Sequence, residues 1–292
     1  MQSFYLPPGT LELVIVSGAD AAKLLQGQLT CDVDAIADPG FARGALCNNK
    51  GRVLVTFILV RQEQDFYFVL NEGLSILLMQ SLKKYLPFYK CEMRLSEGTV
   101  IGAVGHATAS ALAGTDALPE AGQCARLRDG WICNLDAEQQ QYVMHRPTVT
   151  EHPAGLTPGS TTQWLISGLP SGQFPFTASD SEQYTPQELH LDRNGYVSFT
   201  KGCYTGQEIV ARMHYRGKQK KLLHLIVTDS AVSPDEEVEI LDGTGLTIGA
   251  SFKTLNADGR SYILAHLPAD LDDAIKGALK NKSGLEFDKR VF

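Results

Sequence analysis

The chain has 292 residues, of which 43% are hydrophobic and 20% charged, and its formal net charge is −7. That apolar content excludes a disordered tail, and the length allows a core that hides roughly three quarters of the unfolded surface. The acidic balance excludes wholesale coating of nucleic acid but leaves room for one local basic face.

Length alone sets a soft expectation of about two domains. The first basic residue is Lys23, so the start of the chain lacks the positive region of an export signal. The longest apolar run, residues 53–60, is interrupted by Thr56 and has strand length, far below the ~20 residues of a spanning helix. A cytoplasmic protein without a membrane segment is expected. The six cysteines, Cys31, Cys47, Cys91, Cys124, Cys133 and Cys203, contain no C-x-x-C pair, and the seven histidines are scattered. This spacing predicts neither a disulfide framework nor a dedicated metal site.

In chain order, residues 11–17 alternate as a strand, and Asp20 is placed as N-cap of a short helix carrying Ala21, Leu24 and Leu25. Strands are predicted over 41–47, 53–61 and 66–70, the first two joined by the turn Asn48-Asn49-Lys50-Gly51. Leu74, Leu77, Leu78, Leu82 and Tyr85 fall at helical spacing and Pro87 stops that helix. Further strands are expected over 91–95, 100–104, 131–135 and 141–144, with a short helix starting near Thr108. Residues 152–159 read as a connection. Thr161 or Thr162 is expected to cap a helix containing Trp164, Leu165 and Ile166, and 170–184 reads as a long ordered loop. A helix is predicted over 207–215. Short strands follow over 221–227, 237–240, 247–252 and 262–264, separated by turns that include Asp242-Gly243, and such a run suggests a small β-barrel or sandwich. Hairpins followed by helices predict an α+β class with a domain boundary near Gly217.

One segment carries most of the chemical information: Lys201-Gly-Cys-Tyr-Thr-Gly-Gln-Glu-Ile-Val-Ala-Arg212. Read by itself, it sets Cys203 just before a helix N-terminus. There free N–H groups and a nearby Lys201 ammonium favour a thiolate. The competing reading is a small buried hydrophobe, the usual fate of a free cysteine and the better bet on spacing alone. Glu208 complements the first helical turn or pairs with Arg212 at i,i+4 spacing. Arg212, Arg216, Lys218, Lys220 and Lys221 then form a run of cations without an acid, either a solvated connection or a surface for an anionic partner.

This segment closely resembles the signature of the YgfZ-type folate-binding proteins, within the superfamily of the glycine-cleavage aminomethyltransferase. Residues 24–33, the Cys47-Asn-Asn-Lys-Gly-Arg52 hairpin and residues 195–199 carry supporting likeness, so the resemblance spans about 11–217. It implies two α+β subdomains around a central cleft within residues 1–217, divided near 105–150, and a small C-terminal β-barrel over 218–292. It implies tetrahydrofolate or a folate derivative as cofactor. It also implies a link to iron–sulfur cluster assembly or repair in client enzymes, including those that methylthiolate tRNA. Lys201 and Cys203 become the candidate modulator and functional thiol. Trp164 becomes the candidate for stacking a pterin, with an ordinary core role as the alternative. Lys50 and Arg52 are candidates for the anionic glutamyl tail, beside Asn48, Gln26, Gln28, Tyr204 and Arg212 as further cleft residues. The turn reads equally as solvated, and Gln26 and Gln28 as a helix end.

The resemblance also marks departures. Aligning through Asn48 and Gly51, the transferase's acidic residues fall near Leu54 and Val55, and its pterin-binding glutamate near Ile166. Aliphatic side chains move no proton, so aminomethyl transfer is not expected. Leu11 stands where relatives carry an aromatic residue. The leading expectation is a folate-binding accessory factor for iron–sulfur enzymes. The alternatives are a true one-carbon transferase and a direct tRNA-binding module.

Overall fold

The computed structural model describes residues 3–96, 99–136, 138–147, 154–217, 219–241, 244–269 and 288–291. In chain order, β1 is Phe4–Tyr5, β2 is Leu11–Ser17 and α1 is Ala21–Gln26. Then come β3 (Gly40–Cys47), β4 (Val53–Gln62), β5 (Asp65–Asn71) and α2 (Leu74–Lys83). β6 (Glu92–Leu95), β7 (Thr99–Val104) and α3 (His106–Ala113) follow. β8 (Cys124–Leu127), β9 (Gly130–Asp136) and β10 (Gln141–Arg146) precede α4 (Thr161–Gly168) and α5 (Gln207–Arg216). The remaining strands are β11 (Lys221–Thr228), β12 (Glu239–Leu241), β13 (Thr247–Ala257), β14 (Arg260–Pro268) and β15 (Asp288–Val291).

The described strands make three antiparallel sheets, ordered β3-β4-β5-β2-β6, β1-β7-β10-β9-β8 and β12-β13-β14-β11-β15. The α+β class and the β-rich C-terminal region therefore hold. A strand with apolar residues on both faces must be covered twice. In β2, Leu11 and Leu13 share one core with Ile58, Val60 and Val69, while Val14 and Val16 belong to the core on the other face. Trp131 and Cys133 of β9 join the Leu13 side, so the first two sheets meet through that core. The second sheet turns Ile101, Ala103 and Ile132 toward Ala109 and Leu112 of α3. The third sheet keeps a core of its own around Ile226, Ile240 and Ile263, yet lends Leu223, Leu225 and Leu264 to the large core of the first sheet.

Two helix caps differ from expectation. Asp20 precedes α1, but its carboxylate accepts the Lys90 N–H at 2.8 Å and caps nothing in the helix. Ser160, not a threonine, caps α4: its hydroxyl accepts the Gln163 N–H at 3.2 Å, and Gln163 reaches back to the Ser160 N–H. A glutamine three residues on selects the first of three adjacent hydroxyls. The expected turn at Asp242-Gly243 and the start of the 152–159 connection lie outside the described residues.

His145 sits between Tyr67 and Trp131, with ring centres 5.6 and 5.8 Å away. Its Nδ1 lies 3.0 Å from the Thr99 carbonyl, which only accepts, so Nδ1 carries the proton of the neutral ring. Burial holds its pKa below the usual histidine value, with the Thr99 bond opposing and Arg94 adding a little. The unfolded chain therefore takes up this proton first, and stability is lost as pH falls through about 6.5. His145→Gln is expected to flatten that limb in urea titrations between pH 7 and pH 5; an unchanged slope would assign the limb elsewhere.

Candidate functional site

The signature segment is anchored by polar groups from the start of the chain. Thr30 Oγ1 donates to the Tyr196 carbonyl at 2.6 Å, and the Ser198 N–H donates to the Thr30 carbonyl at 2.9 Å. Lys201 is buried and its ammonium donates to the carbonyls of Gln26 (2.9 Å), Leu29 (2.7 Å) and Cys31 (2.7 Å). An ammonium has three donors, and these three carbonyls use them all. Burial lowers the Lys201 pKa, opposed by nearby Cys31, Asp32 and Asp34. The same burial pushes the Cys31 thiol up to about 12. Lys201 thus fastens the signature to the turn after α1. It has no donor left for Cys203, and any effect on the thiol acts through space.

Cys203 itself is exposed, ahead of α5, whose N-cap is Gly206 with φ +84°. Tyr204 is buried; the Lys201 Nζ lies 5.4 Å from its ring centre, and burial raises its phenol. Thr205 turns back to donate to Gln28 Oε1 at 2.9 Å. Gln187 Nε2, just past the 170–184 loop, donates to the Val210 carbonyl at 2.8 Å and fixes the first turns of α5.

Gly206 allows close approach to the β3–β4 hairpin. A Cβ there would stand 2.5 Å from the Asn48 carbonyl oxygen. On the hairpin, Asn48 Oδ1 accepts the N–H groups of Lys50 (2.9 Å) and Arg52 (3.0 Å), the usual side-chain closure of an Asn turn. Arg52 reaches the Gln183 carbonyl (2.8 Å) and Glu188 Oε2 (3.0 Å), and Asn48 Nδ2 reaches Glu182 Oε1 (3.3 Å). The 170–184 loop is thereby docked on the hairpin.

An open groove of about 640 Å³ lies between these parts. Its lining includes Gln28, Cys47, Asn48, Lys50, Arg52, Leu54 and Thr205, joined by Lys84 and Tyr85 after α2 and by Glu182. Four sequence candidates, Gln28, Asn48, Lys50 and Arg52, thus share one site. Gln26 does not join them in the lining: its amide donates to Asp32 Oδ1 (2.9 Å) and accepts the Val33 N–H (2.8 Å), a helix-end role. Arg212 is exposed on α5, and among the described residues no ion pair joins it to Glu208. Lys84, Tyr85 and Glu182 carry no local motif; the sequence hinted at the first two only through the end of a predicted helix.

Trp164 lies elsewhere, in the core shared by the first two sheets and only 4% exposed. Gly102 lets it in: a Cβ there would stand 2.8 Å from the indole Cζ3. Beside it runs a crevice of about 50 Å³ lined also by Leu11, Phe57, Phe174 and Tyr196. Trp164 thus packs in the core and also forms one wall of this crevice. Leu54 is half-buried and faces the groove, whereas Val55 and Ile166 are in the core, so no carboxylate stands at the transferase positions.

No protein-family model matches the chain. Among curated proteins, it is 31% identical over 279 residues to the tRNA-modifying protein YgfZ of Edwardsiella ictaluri, covering 88% of this chain and 82% of that one. It is 28% identical over 283 residues to the tRNA-modifying protein YgfZ of Photobacterium profundum, covering 92% and 85%. Among solved structures, the aminomethyltransferase T of the glycine cleavage system from Bartonella henselae superposes with a TM-score of 0.67 at 16% identity, over 91% of this chain and 78% of that one. At that identity the likeness is one of fold, and no described helix is long and apolar enough to cross a membrane. With an identity above 30% running over most of both chains, this protein belongs to the YgfZ family of tRNA-modifying proteins.

Proposed function

We propose that this protein is a tetrahydrofolate-binding accessory factor that supports assembly or repair of iron–sulfur clusters in enzymes that modify tRNA, with Cys203 as its functional thiol. The observation that carries the reading is the groove in which the hairpin meets Thr205 of the signature loop, two residues along the chain from the exposed Cys203, which is not itself in the lining. The names of the relatives support the tRNA link, and the aminomethyltransferase-like fold supports the folate.

Size and lining of the groove support folate as its ligand. Its volume lies within the ~300–1,000 Å³ range of small-molecule sites. Lys50, Arg52 and Lys84 are suited to glutamyl carboxylates, and Tyr85 and Leu54 offer flat and apolar surface to a ring. Bound there, folate would supply one-carbon chemistry; the residues of this chain bind and orient it. Aminomethyl transfer needs a group that moves a proton at the reacting nitrogen. The groove's carboxylate, Glu182, is exposed and accepts from Asn48 Nδ2, and Leu54 occupies the transferase's acidic position, which together favour an accessory role.

Calorimetric titration with tetrahydrofolate is expected to give one site, weakened about tenfold or more by the double change Lys50→Ala and Lys84→Ala, which removes two charge-assisted partners. Absence of heat with the unmodified protein would retire the folate site. Cys203→Ser is expected to leave the unfolding midpoint unchanged, since the side chain is exposed. In a strain lacking the protein it should fail to restore activity of a tRNA-methylthiolating enzyme. Full restoration by the serine variant would remove the thiol from the mechanism.

A further inference from the structure

β8 and β9 form a hairpin closed by the pair Leu127↔Gly130 around the two-residue turn Arg128-Asp129. Counting back through the alternating pairs puts Cys124↔Cys133 at a non-hydrogen-bonded position. Antiparallel strands come closest there, with Cα atoms about 4.5 Å apart, inside the range that a disulfide spans. The two sulfurs meet: Cys133 Sγ lies 2.8 Å from Cys124 Sγ. A disulfide bond is about 2.0 Å long, so bonding needs a contraction of roughly 0.8 Å between side chains that already face each other. Both cysteines are free thiols. They are not equivalent. Cys133 is fully buried, whereas Cys124 is half-buried on a strand at the sheet edge.

We infer that Cys124 and Cys133 form a dithiol site that a hydroperoxide oxidises to an intramolecular disulfide. The Cys124 thiolate attacks the terminal peroxide oxygen; the O–O bond breaks, the alkoxide takes a proton and leaves as the alcohol, and Cys124 becomes a sulfenic acid. Cys133 Sγ then attacks Cys124 Sγ, the S–O bond breaks, and the hydroxyl leaves as water with the Cys133 proton. Two thiols are oxidised by two electrons and one peroxide is reduced to alcohol and water. Burial raises the Cys133 thiol well above its ordinary range, which leaves the first attack to Cys124; Cys133 gives up its proton to the departing hydroxyl in the second step. The site is independent of the groove and of Cys203, so it stands or falls apart from the folate reading.

The sequence makes the test direct. Arg126 and Arg128 separate the two cysteines, so trypsin, which does not cut the Arg146-Pro147 bond, releases them in different peptides, residues 95–126 and 129–193. The reduced full-length protein is treated with tert-butyl hydroperoxide, alkylated, digested and mapped by mass spectrometry. The expected result is a linked pair of these two peptides from monomeric protein, lost on reduction with dithiothreitol, with two fewer of the six thiols titrating beforehand. Cys133→Ala is expected to leave a Cys124 sulfenic acid that dimedone traps. If both cysteines remain alkylated at a peroxide dose that oxidises Cys203, the inference is wrong. It is equally overturned if Cys124 is found joined to Cys203 or to a second chain.

Discussion

Lys201→Met is expected to cost the fold about 3–5 kcal/mol and to lower the urea midpoint accordingly. The ammonium makes three hydrogen bonds of 2.7–2.9 Å to backbone carbonyls of the turn after α1. Hydrogen bonds to a charged group are worth roughly 1.5–3 kcal/mol each, and a buried carbonyl left without a donor costs about 1–3 kcal/mol. The sum is reduced because methionine escapes the desolvation that lowers the Lys201 pKa. Even so, the carbonyls of Leu29 and Cys31 belong to residues almost wholly buried, so water cannot easily replace the lost donors. A loss below about 1 kcal/mol would mean that the turn relaxes outward and finds solvent, and that Lys201 is no anchor.

The second large effect is expected at Gly206. Gly206→Ala must hold a left-handed backbone, at about 1–2 kcal/mol, and also displace the Asn48 carbonyl, at about 1–3 kcal/mol. The obstacle is backbone, so no rotamer relieves it. Because the hairpin carries Lys50 and Arg52, moving it widens the groove and should weaken tetrahydrofolate binding more than stability alone explains. Gly195→Ala is the comparison: φ there is +78°, but nothing lies within 4 Å of the added Cβ. Equal affinity in the two variants would show that the close approach at Gly206 does not set the groove.

The parts of the fold legible in the sequence were those governed by local periodicity. The strand over 11–17 coincides with β2, and the strands over 41–47 and 53–61 differ from β3 and β4 by one residue at an end. β1 and β8 escaped: one has only two residues, and the other is an edge strand with no apolar alternation. The candidate site divides in the same way. The hairpin and the signature are contiguous motifs, and their meeting at the groove follows the resemblance. The anchoring role of Lys201 was hidden because it lies two residues from Cys203 in sequence, while its ammonium binds carbonyls on a remote segment. Trp164 could not be placed from sequence because an aromatic residue on an amphipathic helix looks alike in a core and in a cleft, and here it borders both. Lys84 and Glu182 reach the groove by tertiary packing alone, which no local pattern encodes.

The Lys201 anchor also fixes when the site can come into being. Its partners precede it by 170 to 175 residues, so the signature loop closes one of the longest hydrogen-bonded loops in the chain. The entropy of closing such a loop is lost before its contacts form, and synthesis runs from the N-terminus. While the ribosome is still making the first two thirds of the protein, the turn after α1 exists without its cation. The surroundings of Cys203 are therefore assembled only once more than two thirds of the chain has been made, and a product truncated before Lys201 leaves the turn after α1 without its anchor.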